Sequence, residues 1–526
     1  RLVAENLESF LLEVGARYSK GLPRYVEREF RKYLECGIHA FGFLRARCKT
    51  CQKDLLVAFS CKQRGVCPSC NARRMCGTAA HLTDRVLPSV PLRQWVLSVP
   101  FELRLLLAKR PHALSAVGRI FVREVFHWQR ERARMLGVPR PRSGAICFVQ
   151  RFGGSLNLNV HYHVVIPDGV FSREGNGSAV QFEQVGAPSG SELEDLALAV
   201  EARVIRWLER QGLLASDASE AASDDSEPQE PSALEACLAG SLGVGELVRL
   251  KSAPVALAPD AAPAKAKKSP RPGHVRGFDI HAGVVVSGDD TEGRERLLRY
   301  CARPPLSLER MQLLPNGLVA YALRRPWGKQ THRILTPLDF LARLAALIPP
   351  PRHPLIIFHG VFAPHSAWRK WVVPTAPAEN ASSKPTPCDA AQASRESASS
   401  HGQRASDQHV RSASSLQMTA LVEPPAADRA PESGASAGKR RYSVDCPVSP
   451  PRSSRIDWAQ LLKRTYDIDA LACSCGGRLT FIATILEPTV ACSILKSLGM
   501  EPRPPPTARA RSPDWIDDIP VDARDW

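Results

Sequence analysis

No apolar run in this 526-residue chain approaches the roughly 20 residues that a membrane-spanning helix needs. Hydropathy therefore excludes an integral helical membrane protein, and the N-terminus lacks the charged-then-apolar pattern of a secretory signal. Acidic residues are also in deficit, 53 Asp+Glu against 70 Lys+Arg, leaving a formal net charge of +17. Such an excess points to a polyanionic partner, of which nucleic acid is the commonest. A disulfide framework is missing as well. The 15 Cys are an odd number, and seven of them fall between Cys36 and Cys76, a clustering that suits metal ligation in a reducing compartment. A cytoplasmic, nucleoid-associated protein of two or three domains is expected. The chain opens on Arg1 rather than Met, so a few residues are expected to precede it.

The most informative segment is a near-perfect alternation. Leu156, Leu158, Val160, Tyr162, Val164 and Ile166 take the even positions, while Asn157, Asn159, His161 and His163 take the odd ones, the period of a half-buried strand. Both imidazoles then leave the sheet on one side, where residues i and i+2 can share a metal ion on a hydrophilic face. A strand that merely carries two exposed histidines is the plainer alternative.

Cys48-x-x-Cys51 and Cys67-x-x-Cys70 are separated by fifteen residues, the spacing at which two knuckles bring four thiolates to one tetrahedral zinc. Four thiolates leave no open coordination position, so the role is structural, folding a small zinc-ribbon-like domain with too little apolar surface of its own. Cys36, Cys61 and Cys76 are left over. Cys61 replaces one of the four, or the extra thiols build a second site. Arg73 and Arg74 follow the second knuckle directly and suit a DNA backbone. Cys473-x-Cys475-Gly-Gly is a weaker signal, since two thiolates do not complete a zinc site and the Gly pair reads as a turn.

Pattern changes divide the chain. Residues 1–90 read as a basic helical and zinc-binding domain for DNA, with cations and aromatics interleaved from Arg24 to Tyr33. Residues 91–172 and 276–372 form two halves of an α+β domain, an antiparallel sheet flanked by helices. Between them, 173–275 is an insertion, partly disordered, with an amphipathic helix over 191–214 carrying Leu196, Val200, Val204 and Leu208. Residues 373–453 are a disordered Ala/Ser/Pro linker, and 454–526 a small C-terminal module and tail. A short helix from Asp289 to Arg303 opens with the form of a capping box, Asp289 with Glu292, and is stopped by Pro304-Pro305. It carries Tyr300 with Arg296, Arg299 and Arg303 at i−4, i−1 and i+3. A tyrosine attacking a phosphodiester needs such cations beside the developing charge; a helix tyrosine packed on a sheet is the alternative.

The knuckle cysteines, Gln150-Arg151-Phe152-Gly153, the run from Leu158 through His161-Tyr162-His163 to Phe171, Arg299-Tyr300-Cys301-Ala302-Arg303-Pro304-Pro305-Leu306, Phe358-His359-Gly360-Val361-Phe362-Ala363-Pro364 and the Cys473-x-Cys475-Gly-Gly module occur in an order that resembles the rolling-circle transposases of the insertion-sequence ninety-one family. The likeness covers 1–172, 276–372 and 455–500. It implies a His-hydrophobe-His endonuclease fold acting on single-stranded or hairpin DNA ends. By matching position, His161 and His163 would hold Mg²⁺ or Mn²⁺ and Tyr300 would attack the phosphate, giving a 5′-phosphotyrosyl enzyme and a 3′-hydroxyl. The third metal ligand is open among Gln150, Asp279 and His281, with Gln150 favoured. Some relatives carry a second tyrosine four residues on, where this chain has Pro304, so a single-tyrosine cycle is expected. Plasmid replication or mobilisation by the same chemistry, and a non-catalytic zinc-ribbon regulator, are the alternatives.

Overall fold

A computed structural model describes residues 1–173, 179–214, 231–242, 273–327, 330–374, 441–444 and 458–510. Most of the stretches expected to be disordered, 215–232, 253–276 and 373–453, lie outside the described residues. The expected α+β class holds. Its centre is an antiparallel six-stranded sheet in the order Ile356–Gly360, Gly144–Phe152, Leu158–Pro167, Leu92–Ser98, Phe278–Val286, His274–Val275. The histidine strand, Leu158–Pro167, is thus paired on both edges, and its alternation divides two cores. Leu158, Val160, Tyr162, Val164 and Ile166 are all fully buried in one cluster with Val117, Phe121 and Val125 of the helix Pro111–Met135. The Tyr162 hydroxyl donates to the Leu114 carbonyl at 2.7 Å, and Gly118 makes room for that ring, since a Cβ there would sit 3.0 Å from it. Val165 on the other face joins Ile146 and Phe148 in a second cluster with Leu297, Leu298 and Cys301.

Those last three residues belong to the tyrosine helix, Thr291–Cys301. Its cap is Asp290, whose carboxylate accepts from Gly293 N at 2.8 Å; Asp289 instead accepts from the Ser287 hydroxyl, so the expected capping box at Asp289 and Glu292 does not form. The helix stops at Cys301, before Arg303, where Pro304 and Pro305 offer no N–H to the Tyr300 and Cys301 carbonyls; the Cys301 carbonyl accepts instead from Gln150 Nε2 at 2.7 Å. A helix end leaves carbonyls without intrahelical partners, and a side chain from the sheet supplies one here.

Part of the expected insertion is core. The helix Gly190–Arg210 is closed at its start by a capping box of Ser189 and Glu192, and its Val200, Val204 and Leu208 are fully buried in the same cluster as Phe121 and Phe278. An apolar stripe at helical spacing must be buried somewhere, and here the outer strands of the sheet and the helix Pro111–Met135 receive it. The C-terminal segment expected to be its own module also departs from expectation: Leu479–Ile485 pairs antiparallel with Phe43–Cys48, which pairs with Asp54–Ala58, in one three-stranded sheet.

Candidate metal centres and tyrosine site

The four thiolates expected at one zinc are divided between two clusters. Cys67 and Cys70 stand with Cys36 and Cys61, and Cys48 and Cys51 with Cys473 and Cys475; in each set the four sulfurs lie within 4.8 Å of one another. The physical reason is the hairpin. Cys48 and Cys51 flank the turn between Phe43–Cys48 and Asp54–Ala58, closed by Cys48 N donating to Lys53 O at 2.9 Å, and this turn points toward the C-terminal segment rather than the second knuckle. Cys36 follows directly on the helix Arg24–Glu35, and Cys67 caps the helix Pro68–Arg85. Their sulfurs meet at 3.5 Å (Cys36 to Cys67), 3.5 Å (Cys61 to Cys70) and 3.7 Å (Cys36 to Cys70). Glu29 fixes the intervening loop by accepting from Gly65 N at 3.0 Å and Arg64 N at 3.2 Å. Both donor sets are all-thiolate and suit structural zinc. Cys76 is buried in a small core with Met75, Ala80 and Leu461.

The second site lies where the tyrosine helix covers the polar face of the histidine strand. That face was expected to be open, yet His161 and His163 are only 7% and 3% exposed. The ring of half-buried Tyr300 stands edge-on to His163, centroids 5.5 Å apart at 85°, and the two imidazoles are 5.0 Å apart. Arg303 lies over the Tyr300 ring at 4.7 Å and over Phe152 at 5.7 Å. The strand register sets Gln150 opposite His161. Its amide nitrogen is committed to the Cys301 carbonyl, and its oxygen accepts from Arg303 Nε at 3.4 Å. His161 Nδ1 is hydrogen-bonded to the Asn159 carbonyl at 2.9 Å, and Gln94 Nε2 donates to His163 Nδ1 at 2.8 Å. His163 Nε2 is buried with no hydrogen-bond partner among the described residues.

Burial, reinforced by the Arg303 and Arg104 charges, pulls His161 down to about 4, and burial next to His161 and Arg303 holds His163 well below the ordinary histidine value. Both rings are therefore neutral at neutral pH, the form that can ligate a cation. Burial also lowers the Arg303 guanidinium, to about 10, still charged at pH 7. Among the described residues no third His, Cys, Asp or Glu joins the histidine pair closely enough to complete a metal set. Asp279 is opposite Ser98, itself opposite His161, and His281 is exposed.

The expected arginines part company. Arg74 and Arg303 line one cleft together with Arg64, Arg151 and Phe152, although Arg74 also donates to the Gln63 and Lys62 carbonyls. Arg73 and Arg296 are exposed, and Arg299 is paired with Glu295 at 3.4 Å. One residue of the site escaped the sequence reading. Gln94 sits in an ordinary strand pattern, and only pairing of Leu92–Ser98 with the histidine strand reveals its role. Cys473 and Cys475 were visible, but their partners lie more than 400 residues away.

Among the described residues no helix is long and apolar enough to cross a membrane. Two family models match the chain: one described as "Putative transposase" over residues 144–369, which contains the histidine strand and the tyrosine helix, and one described as "Transposase zinc-binding domain" over residues 6–99. No curated protein and no solved structure matches. The two stretches together take in more than half of the chain. The chain belongs to the insertion-sequence ninety-one transposases, DNA-cleaving enzymes, and carries the zinc-binding domain of that family at its N-terminus.

Proposed function

We propose that this transposase cuts and rejoins single-stranded DNA through Tyr300, with His161 and His163 holding a divalent cation, Mg²⁺ or Mn²⁺. The observation that carries the reading is the packing of the Tyr300 ring between His163 and the Arg303 guanidinium. The cation, when bound, would polarise the scissile phosphate. Two neutral imidazoles, one with a buried unpartnered nitrogen, fit that role, and Gln150 is the third donor by register if its long bond to Arg303 yields.

In the cleavage step the Tyr300 phenol oxygen attacks phosphorus, its proton passing to solvent. The bond from phosphorus to the 3′-oxygen breaks, and that oxygen leaves as a hydroxyl after taking up a proton. The product is a 5′-phosphotyrosyl enzyme. Arg303 stabilises charge on the phosphate, and the basic cleft beside the helix end tracks the strand. Because the phosphotyrosine bond conserves the energy of the broken ester, a 3′-hydroxyl reverses the step to join DNA without a nucleotide cofactor. Pro304 occupies the position of a second nucleophile, and Tyr321 is buried under Arg310 at 4.7 Å, so one tyrosine serves both steps.

The test is a single-stranded oligonucleotide bearing the element's end, incubated with the protein and Mn²⁺. A denaturant-resistant adduct on the 5′ side is expected with the parent and none with Tyr300→Phe. An adduct of equal yield from Tyr300→Phe overturns the assignment of the nucleophile; DNA binding with no adduct from the parent favours a non-catalytic regulator.

A further inference from the structure

Cys473 and Cys475 lie outside both stretches matched by the family models, and the role of the turn that carries them is unassigned. Their sulfurs meet those of the N-terminal hairpin, Cys48 to Cys475 at 3.6 Å and Cys51 to Cys473 at 3.5 Å. None of the four is in a disulfide. The surrounding backbone is built for this approach. Cys473 N donates to Gly477 O at 2.8 Å and Gly476 N to Cys473 O at 3.0 Å, closing a turn that needs Gly476 at φ +80°. Gly477 has no room for a side chain: a Cβ there would lie 2.8 Å from Cys48 Sγ and 2.5 Å from Thr50 Oγ1. The pairing of Cys48 with Leu479 continues directly from the cluster, and Thr480 Oγ1 donates to Arg47 O at 3.1 Å.

We infer that Cys48, Cys51, Cys473 and Cys475 form a second, structural zinc site that clips the C-terminal segment onto the N-terminal sheet and thereby braces the tyrosine helix. Four thiolates at tetrahedral spacing select zinc and leave no position open for catalysis. Neither pair completes a site alone, so the ion bridges parts of the chain 422 residues apart. The brace runs through the helix Trp458–Tyr466, just upstream of Cys473. Leu461 packs with Met75 and Ala80. Arg464 bonds Asp84 at 2.5 Å and Glu295, on the tyrosine helix, at 2.6 Å. A cation that holds the C-terminal segment in place thus holds a guanidinium against the helix that presents Tyr300.

The experiment counts zinc in the purified full-length protein by elemental analysis and follows hydrogen exchange in residues 291–301. Two zinc ions per chain are expected in the parent and one in Cys473→Ser/Cys475→Ser, with faster exchange in the tyrosine helix. Cys475 is exposed, so replacing it disturbs no packing. Cys475→His, which keeps a ligand, retains two ions and parental exchange, separating loss of metal from loss of fold. A double variant with as much zinc as the parent overturns the site, as does iron in place of zinc. Loss of one zinc with unchanged exchange in 291–301 overturns the brace.

Discussion

Replacing Gln94 with leucine removes the group that orients His163 while keeping the size and burial of the side chain. Gln94 is 3% exposed, so the change leaves no water-filled gap, and its Nε2 lies 2.8 Å from His163 Nδ1 and 3.4 Å from Cys301 Sγ. With the amide in this orientation Nδ1 accepts, and the imidazole proton belongs on Nε2. A cation on Nε2 reverses the tautomer, and the amide turns over to offer its oxygen to Nδ1–H, a rotation that a buried glutamine makes without moving its backbone. Gln94→Leu removes both orientations. Losing the partner of a metal-ligating histidine weakens metal binding about 10–100-fold, or about 1.4–2.8 kcal/mol. The cost to folding is smaller, about 1 kcal/mol for one hydrogen bond. Mn²⁺ titration by calorimetry reads the first quantity and urea unfolding the second, while the zinc content stays at the parental value. Parental Mn²⁺ affinity together with a parental cleavage rate would refute both the role of Gln94 and the assignment of His163 as a ligand.

His161→Ala is expected to lower Mn²⁺-dependent cleavage by several orders of magnitude while leaving zinc content unchanged, since His161 belongs to neither thiolate cluster; elemental analysis beside a nicking assay checks this. The depressed His161 value of about 4 against an ordinary 6.5 means that the unfolded chain binds more protons than the folded one between those limits. Metal-free protein therefore gains stability as pH rises from about 4 to 6.5 and gains no more from this group above that; His161→Phe should flatten that rise in denaturant midpoints measured across the window. Gly477→Ala places a methyl against Cys48 Sγ and should cost about 1–3 kcal/mol by overpacking, read as easier zinc release by a chelator. Val204→Ala and Leu208→Ala, in the helix that completes the core, should destabilise by about 1–5 kcal/mol in urea unfolding; neutral results would mean that this helix does not belong to the folded core.

The elements most legible in the sequence were those whose own residues carry the pattern. Alternation from Leu158 to Ile166 marks the histidine strand because its two faces meet different surroundings, and Leu196, Val200, Val204 and Leu208 mark a helix for the same reason. Burial of the polar face was not legible, because the cover comes from a helix more than 100 residues on. The cysteine pairs were recognised as ligands, yet spacing along the chain misassigned them: a hairpin turn sets the direction of Cys48 and Cys51, and sequence separation carries no information about that direction. Gln150 was picked out for a metal, and the register does bring it beside His161. Its capping of Cys301 depends on where the helix ends, the least predictable property of a helix.

Because Leu479–Ile485 supplies the outer strand beside Phe43–Cys48, the N-terminal sheet stays unfinished until the ribosome has added more than 400 further residues. Until then one edge of Phe43–Cys48 exposes unpaired amides and carbonyls, an invitation to aggregation or to a chaperone. A nascent chain interrupted before residue 473 carries every residue assigned to cleavage but neither the missing strand nor the last two thiols. Premature termination should therefore yield fragments destined for proteolysis rather than a partial nuclease loose among chromosomal DNA.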